Sequence, residues 1–142
     1  MPSSGAAAAM IRAVTGGTAY PAERATLSGA VIDTRHPDYT GTGYVDFTEN
    51  TGAFVQWTVP VPAAGTRTLT FRYANGVTTG RPLAVTVNGT TVNAALPFNP
   101  TGSWHTWATT SFAAALPAGS QVLVRATTTG ANGANIDSLT VT

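Results

Sequence analysis

The stretch Thr66-Arg-Thr-Leu-Thr-Phe-Arg-Tyr-Ala-Asn75 decides the fold. Leu69, Phe71 and Tyr73 recur on one face, with Thr68, Thr70 and Arg72 on the other. Side chains of a strand alternate, so this is a strand with one face on a core and one face wet. The same period recurs at Val55, Trp57 and Val59, at Leu83, Val85 and Val87, at Val122 and Val124, and at Leu139 and Val141. Residues branched at Cβ and aromatic residues suit a pleated surface. No stretch carries a stripe at helical spacing. Ala113 to Ala115 is the most helix-like piece, and it stops at Pro117.

Turn signals separate these runs. They are Ala63-Ala-Gly65, Asn75-Gly76, Asn88-Gly89, Pro100-Thr-Gly102, Pro117-Ala-Gly119 and Gly130-Ala-Asn-Gly133. Asn-Gly supplies the positive φ values of tight hairpins. The pattern predicts strands at 18–20, 25–33, 43–47, 53–59, 66–75, 82–87, 91–95, 104–112, 120–128 and 134–141. Many short strands at such spacing mean an all-β sandwich or barrel.

Composition narrows the function. The 142 residues suit one domain. Charged residues are 9%, against roughly 25% in a typical soluble domain, and Lys is absent. That excludes the clustered cations of a nucleic-acid footprint or a polybasic membrane anchor. Apolar residues at 43% suffice for a core, which argues against disorder. With no Cys, disulfides and Cys-ligated metal sites are excluded. The longest apolar run, Ala6 to Ile11, is too short to span a bilayer. Residues 1–12, with Met1-Pro-Ser-Ser-Gly5 and four Ala, read as an expression tail or linker remnant, leaving 13–142 as the module.

Catalytic signatures are missing. A glycosidase needs two carboxylates across a cleft, about 5–10 Å apart. Glu23 and Glu49 are the only Glu, and neither sits in an acid–base motif. No G-x-S-x-G occurs, and the Gly-rich stretches lack a P-loop Lys. Recognition is favoured over chemistry; a ligand-free structural or adhesive spacer is the second reading and a small enzyme the third.

Seven segments together resemble carbohydrate-binding module family 35, a relative of family 6. They are Tyr20-Pro-Ala-Glu-Arg-Ala-Thr-Leu-Ser-Gly29, Tyr39-Thr-Gly-Thr-Gly-Tyr-Val-Asp-Phe47, Val55-Gln-Trp-Thr-Val59, Phe71-Arg-Tyr-Ala-Asn75, Leu83-Ala-Val-Thr-Val-Asn-Gly89, Thr101-Gly-Ser-Trp-His-Thr-Trp107 and Asn135-Ile-Asp-Ser-Leu139. The resemblance implies a β-sandwich (jelly roll) of two antiparallel sheets. It implies a non-catalytic, monomeric module of a secreted, extracellular glycoside hydrolase or lyase, with a sugar held in loops at one end. The ligand is expected among glucuronate, unsaturated galacturonate, mannan, galactose-type sugars and glucans.

A sugar ring offers an apolar C–H face and a hydroxyl rim, so aromatic rings, amides and Arg are the groups that capture it. Trp104 and Trp107, three apart on an expected strand, point to opposite faces. The resemblance makes Trp107 the platform; the alternative is a packed indole. It also brings Asn135 and Asn75 to the sugar, although both suit turns. Tyr39 is expected as a side wall and Tyr44 as core. Arg81 follows a Gly and is placed to fork a carboxylate, if it is not simply an exposed charge. His36 lies in the same loop as Tyr39 and is the weaker candidate, since a lone loop His is usually solvated.

Calcium is expected twice. A structural ion is implied at Glu23 and Asp137, completed by oxygens near Thr40 and Gly43. One departure is Pro21, where the family often has a second acid. A ligand-side calcium that bridges a uronate is expected at Asp33 and Asp38, with Asn75.

Overall fold

The computed structural model describes residues 17–142, so the tail reading of 1–12 lies outside the described residues. The strands are β1 (Thr18–Pro21), β2 (Thr26–Ser28), β3 (Ala30–Asp33), β4 (Tyr44–Phe47), β5 (Thr51–Val61), β6 (Gly65–Ala74), β7 (Leu83–Val87), β8 (Thr90–Leu96), β9 (Ala108–Leu116), β10 (Gly119–Thr129) and β11 (Asn135–Val141). One helical turn, Ala22–Arg24, interrupts them. They form two antiparallel sheets. One runs β3-β4-β11-β6-β9, with β1 also on β11, and the other runs β2-β5-β10-β7-β8. The all-β sandwich expectation is met.

The inward faces are the ones that period two selected. Val55, Trp57 and Val59 meet Leu69, Phe71, Leu83, Val85, Val122, Val124 and Leu139, all buried. Aromatic rings bridge the sheets. Phe71 lies 5.8 Å from Trp57 and 5.9 Å from Phe98, and Phe98 lies 4.9 Å from Tyr73 at 82°. Edge-to-face packing of this kind adds to burial. The Tyr73 hydroxyl donates to the Asn99 carbonyl at 2.8 Å, which satisfies its one polar atom.

Two expectations are corrected. The expected strand 25–33 breaks at Gly29 (φ 64), and its halves join different sheets, β2 on β5 and β3 on β4. Left-handed backbone is open to Gly without steric cost. The expected strand 104–112 starts later, at Ala108, because Ser103, Trp104 and His105 form a turn closed by a Ser103–Thr106 hydroxyl contact at 2.8 Å. The Ala113–Ala115 segment is strand, with Ala114 and Leu116 facing the core. Tertiary pairing with β6 overrides the helical preference of Ala there. Asn88-Gly89 does make a hairpin, with φ values of 49 and 84.

Phe71→Ala removes the ring common to two aromatic contacts. Urea melts should show a loss of about 3–5 kcal/mol. A loss well below that range would mean the sheets are held elsewhere.

Candidate functional site

The loop after β3, residues 34–43, folds over the outer face of the β3–β11 sheet. Asp137 fastens it. This carboxylate is fully buried. It accepts from the Thr40 N–H at 3.0 and 3.1 Å, from the Thr40 hydroxyl at 2.8 Å, and from Arg72 Nη1 at 2.8 Å. Tyr44 is also buried under the loop. Its hydroxyl accepts from the His36 N–H at 3.2 Å, and Tyr39 lies 5.7 Å from its ring. Burial pushes the Tyr44 hydroxyl pKa up.

A groove of about 210 Å³ opens where this loop meets the ends of β4, β7 and β11. Arg35, His36, Asp46, Arg81, Trp104 and Asn135 line it. That is smaller than the roughly 300–1,000 Å³ of drug-sized ligand sites, so it suits a small group or one end of a chain. Trp104 rests on Gly76. A Cβ on Gly76 would meet the indole Cδ1 and would stand 2.5 Å from Cγ and 2.6 Å from Nε1. His36 stacks on the indole at 6.2 Å, and the Arg81 guanidinium lies 5.5 Å from the ring centre. Arg81 reaches the Gly133 carbonyl only at 3.5 Å.

Several groove groups lack hydrogen-bond partners among the described residues, the Trp104 N–H and the His36 ring included. Among the described residues, neither the Asn135 amide nor the Asp46 carboxylate hydrogen-bonds to another residue. Burial, reinforced by the charge of Asp33, raises the Asp46 pKa; Arg35, His36 and Arg81 oppose this without cancelling it.

The sequence-derived candidates scatter. Asn135, Arg81 and His36 meet in the groove. Trp107 is not among its lining residues. It is half-buried beside Tyr44 (5.4 Å), with Arg72 at 5.2 Å from its ring centre, and its N–H donates to the Pro37 carbonyl at 2.9 Å. The register still aligns it. Asn135 pairs with Ala74, and Tyr73 with Ala108, so Trp107 follows on the row of Asn135, about 10 Å away across two strand spacings. Tyr39 packs on Tyr44 and borders the loop rather than the groove.

Asn75 is corrected. It is fully buried, its amide donates to the Thr79 and Phe98 carbonyls, and its oxygen accepts from the Val77 N–H. With both ends of the amide engaged, it has nothing to offer a sugar or a cation. The sequence reading missed Trp104 as the groove wall, and Arg35 and Asp46 entirely. The signal for Trp104 was the Pro100-Thr-Gly102 turn just before it, which argues against a strand at 104.

The ligand-side calcium set is corrected too. Asp33 Oδ1 accepts from the Thr34 and Arg35 N–H groups, at 2.7 and 3.0 Å, and Oδ2 pairs with Arg35 at 3.0 Å. Burial works against the Asp33 charge, but those N–H groups and the guanidinium outweigh it and hold its pKa below the usual value. Asp38 is exposed in a left-handed turn (φ 75). No group of three or more His, Asp or Glu gathers among the described residues.

The structural corner is different. Glu23 Oε2 accepts from the Thr42 N–H at 3.0 Å and lies against Gly41, where a Cβ would strike it. Glu23 Oε1 is buried without a partner. An orphaned carboxylate oxygen, beside a loop already tied to Asp137, fits a hard cation with oxygen ligands. At Gly43 the loop passes close to β3: an added Cβ would lie 2.7 Å from Ile32 Cγ2.

Fold and groove define a module built for recognition, and comparison with known proteins agrees. Residues 22–142 match the carbohydrate binding module (family 6). A family 35 carbohydrate binding module from Clostridium thermocellum superposes with a TM-score of 0.85 at 36% identity, covering 89% of this chain and 98% of that one. The family 35 module from Paenibacillus barcinonensis gives 0.84 at 41% identity, with the same coverage. Another family 35 module, Xyl-CBM35, in complex with a glucuronic acid-containing disaccharide gives 0.77 at 33% identity, covering 87% and 91%. An exo-β-D-glucosaminidase from Amycolatopsis orientalis is 41% identical over 86% of this chain, and the chain spans 12% of that enzyme. The chain belongs to the carbohydrate-binding modules of family 35, within the family 6 group, and is non-catalytic.

Gly76→Ala places a methyl inside the Trp104 indole. The fold should persist, since Gly76 lies outside the strands, while affinity for the module's sugar should fall as the indole is displaced. Unchanged binding in calorimetry would mean that Trp104 is not part of the seat.

Proposed function

We propose that the groove seats a uronic acid residue of a plant or microbial polysaccharide, glucuronate or unsaturated galacturonate. On this reading the module holds an appended glycoside hydrolase or lyase domain on its substrate, outside the cell. The observation that carries the reading is the convergence of Trp104, Arg81 and the unpaired Asn135 amide on one groove. An indole takes the apolar ring face, the amide takes hydroxyls, and Arg81 offers a forked pair of donors to a carboxylate. A spacer with no ligand leaves that unpaired amide unexplained.

The seat lies over the row from Asn135 to Trp107, with Trp104, His36 and Arg81 closing its end. Trp107 supports the ring from the far end of the row, and Tyr39 steadies the loop beside it. A neutral hexose of a galactose-type sugar, mannan or glucan is the competing ligand. The Asp46 carboxylate favours it, because an acceptor attracts hydroxyls and repels an acid. A structural calcium would be held chiefly by the orphaned Glu23 oxygen, with Asp137 and loop oxygens near Thr40 and Gly43 beside it. Bound there, a cation would supply positive charge to the orphaned Glu23 oxygen at the point where the loop meets the first helical turn.

Isothermal titration with D-glucuronic acid tests the seat. Arg81→Ala should weaken binding about tenfold or more, the size of a charged hydrogen bond. Trp104→Ala and Trp107→Ala should each weaken it, and the ring platform should cost about 2 kcal/mol or more, as aromatic hot spots do. If Arg81→Ala binds as tightly as the unaltered protein, the uronate reading falls and the neutral hexose takes its place. EDTA should lower the melting temperature, because a ligand held only by the folded state is withdrawn. An unmoved melting temperature removes the calcium.

A further inference from the structure

We infer that Asp46 is a specificity-determining residue, the acceptor that fixes which way round the sugar sits by taking hydrogen bonds from neighbouring ring hydroxyls. This rests on the reading of the groove as a sugar seat and deepens it.

The donors and acceptors of the groove are unequal. Arg35 and Arg81 can only donate, and Asn135 can do both. Asp46 alone brings a charged acceptor. It has no ion pair: the two among the described residues are Arg35 with Asp33 and Arg72 with Asp137. Arg81 is turned towards Trp104 and Gly133. A half-buried carboxylate without donors costs stability, so the donors are left for a ligand to bring. Neighbouring hydroxyls on a pyranose are two donors side by side, and a carboxylate has two oxygens to receive them.

Position supports the role. Asp46 lies on β4 between Val45 and Phe47, both buried in the core, and pairs across the sheet with Val31. Its backbone is therefore set by a strand rather than by a loop, as a site that must hold one geometry requires. Asp46 and Arg81 also sort the two ends of an acidic sugar. The carboxylate of a uronate is repelled by Asp46 and drawn to Arg81, while its ring hydroxyls take the reverse orientation. A sugar turned around would set an acid against an acid.

Asp46→Asn separates this role from simple repulsion, because the amide keeps the shape and loses the charge. The variant should melt no lower than the unaltered protein, since burial disfavours the charge it removes. By titration calorimetry its affinity for D-glucuronic acid should fall about tenfold or more, as expected for lost charge-assisted hydrogen bonds. Equal or tighter binding by the variant overturns the inference and makes Asp46 only a repelling charge. If the unaltered protein binds neither D-glucuronic acid nor immobilised polysaccharide, the sugar reading itself falls and takes this inference with it. If the unaltered protein binds and the variant is indifferent, only this inference is lost.

Discussion

The buried Asp137 carboxylate is the constraint on which the recognition end depends. A charge removed from water must be fully met by hydrogen bonds and an opposite charge, or it destabilises the fold. Here Thr40 gives two donors and Arg72 gives a third with a charge. Those partners come from β6 and from a loop nearly a hundred residues earlier in the chain. Meeting Asp137 therefore fixes where the loop lies. Once the loop lies there, Tyr44 is covered, Pro37 caps the Trp107 N–H, and His36 is set beside Trp104. A two-sheet scaffold with no such clamp would present the same residues without a common geometry.

Glu23 is a second clamp of a different kind. It reaches the same loop two residues further on, at Thr42, but only one of its oxygens is met. Pro21 stands where the resemblance expects another acid, so the corner has one carboxylate fewer to share. Asp137 is already neutralised by Arg72. The charge left over at the corner is therefore that of Glu23 alone, a modest pull on a divalent ion compared with sites of several carboxylates.

The strands were legible in the sequence because burial on one face imposes period two, and Val55–Val59, Leu69–Tyr73 and Leu83–Val87 carry it without interruption. The sheet switch at Gly29 was not legible, since alternation continues across a break that only the positive φ creates. The candidate groove was legible in part. Asn135, Arg81 and His36 were named and do converge. Asn75 misled because a loop-end amide looks alike whether it faces a ligand or ties down its own turn; only its three bonds distinguish these. Asp46 was invisible for a related reason. In Tyr44-Val-Asp-Phe47 it occupies the polar half of an alternating strand, which reads as ordinary solvent exposure. That Arg81, Trp104 and Asn135 gather around it from distant parts of the chain is a tertiary fact, and no local pattern encodes it.

The scarcity of charge gains meaning from its placement. Charged residues are 9% of the chain, yet Glu23, Asp33, Arg35, Asp46, Arg72, Arg81 and Asp137 all stand at or under this one loop. Four of them are spent in the Arg35–Asp33 and Arg72–Asp137 pairs that shape it. Arg81 and Asp46 are left, of opposite sign, in the groove itself. On a surface otherwise dominated by Thr, Ser and Ala, Arg81 and Asp46 act there together with the Arg35–Asp33 pair at the groove's edge, and nearby fields decay over about 8–10 Å in physiological salt. A sugar entering the groove would then be sorted by these opposite charges and one indole. This economy asks little of the rest of the sheet except that it hold Asp46 and Asn135 in register beneath the loop.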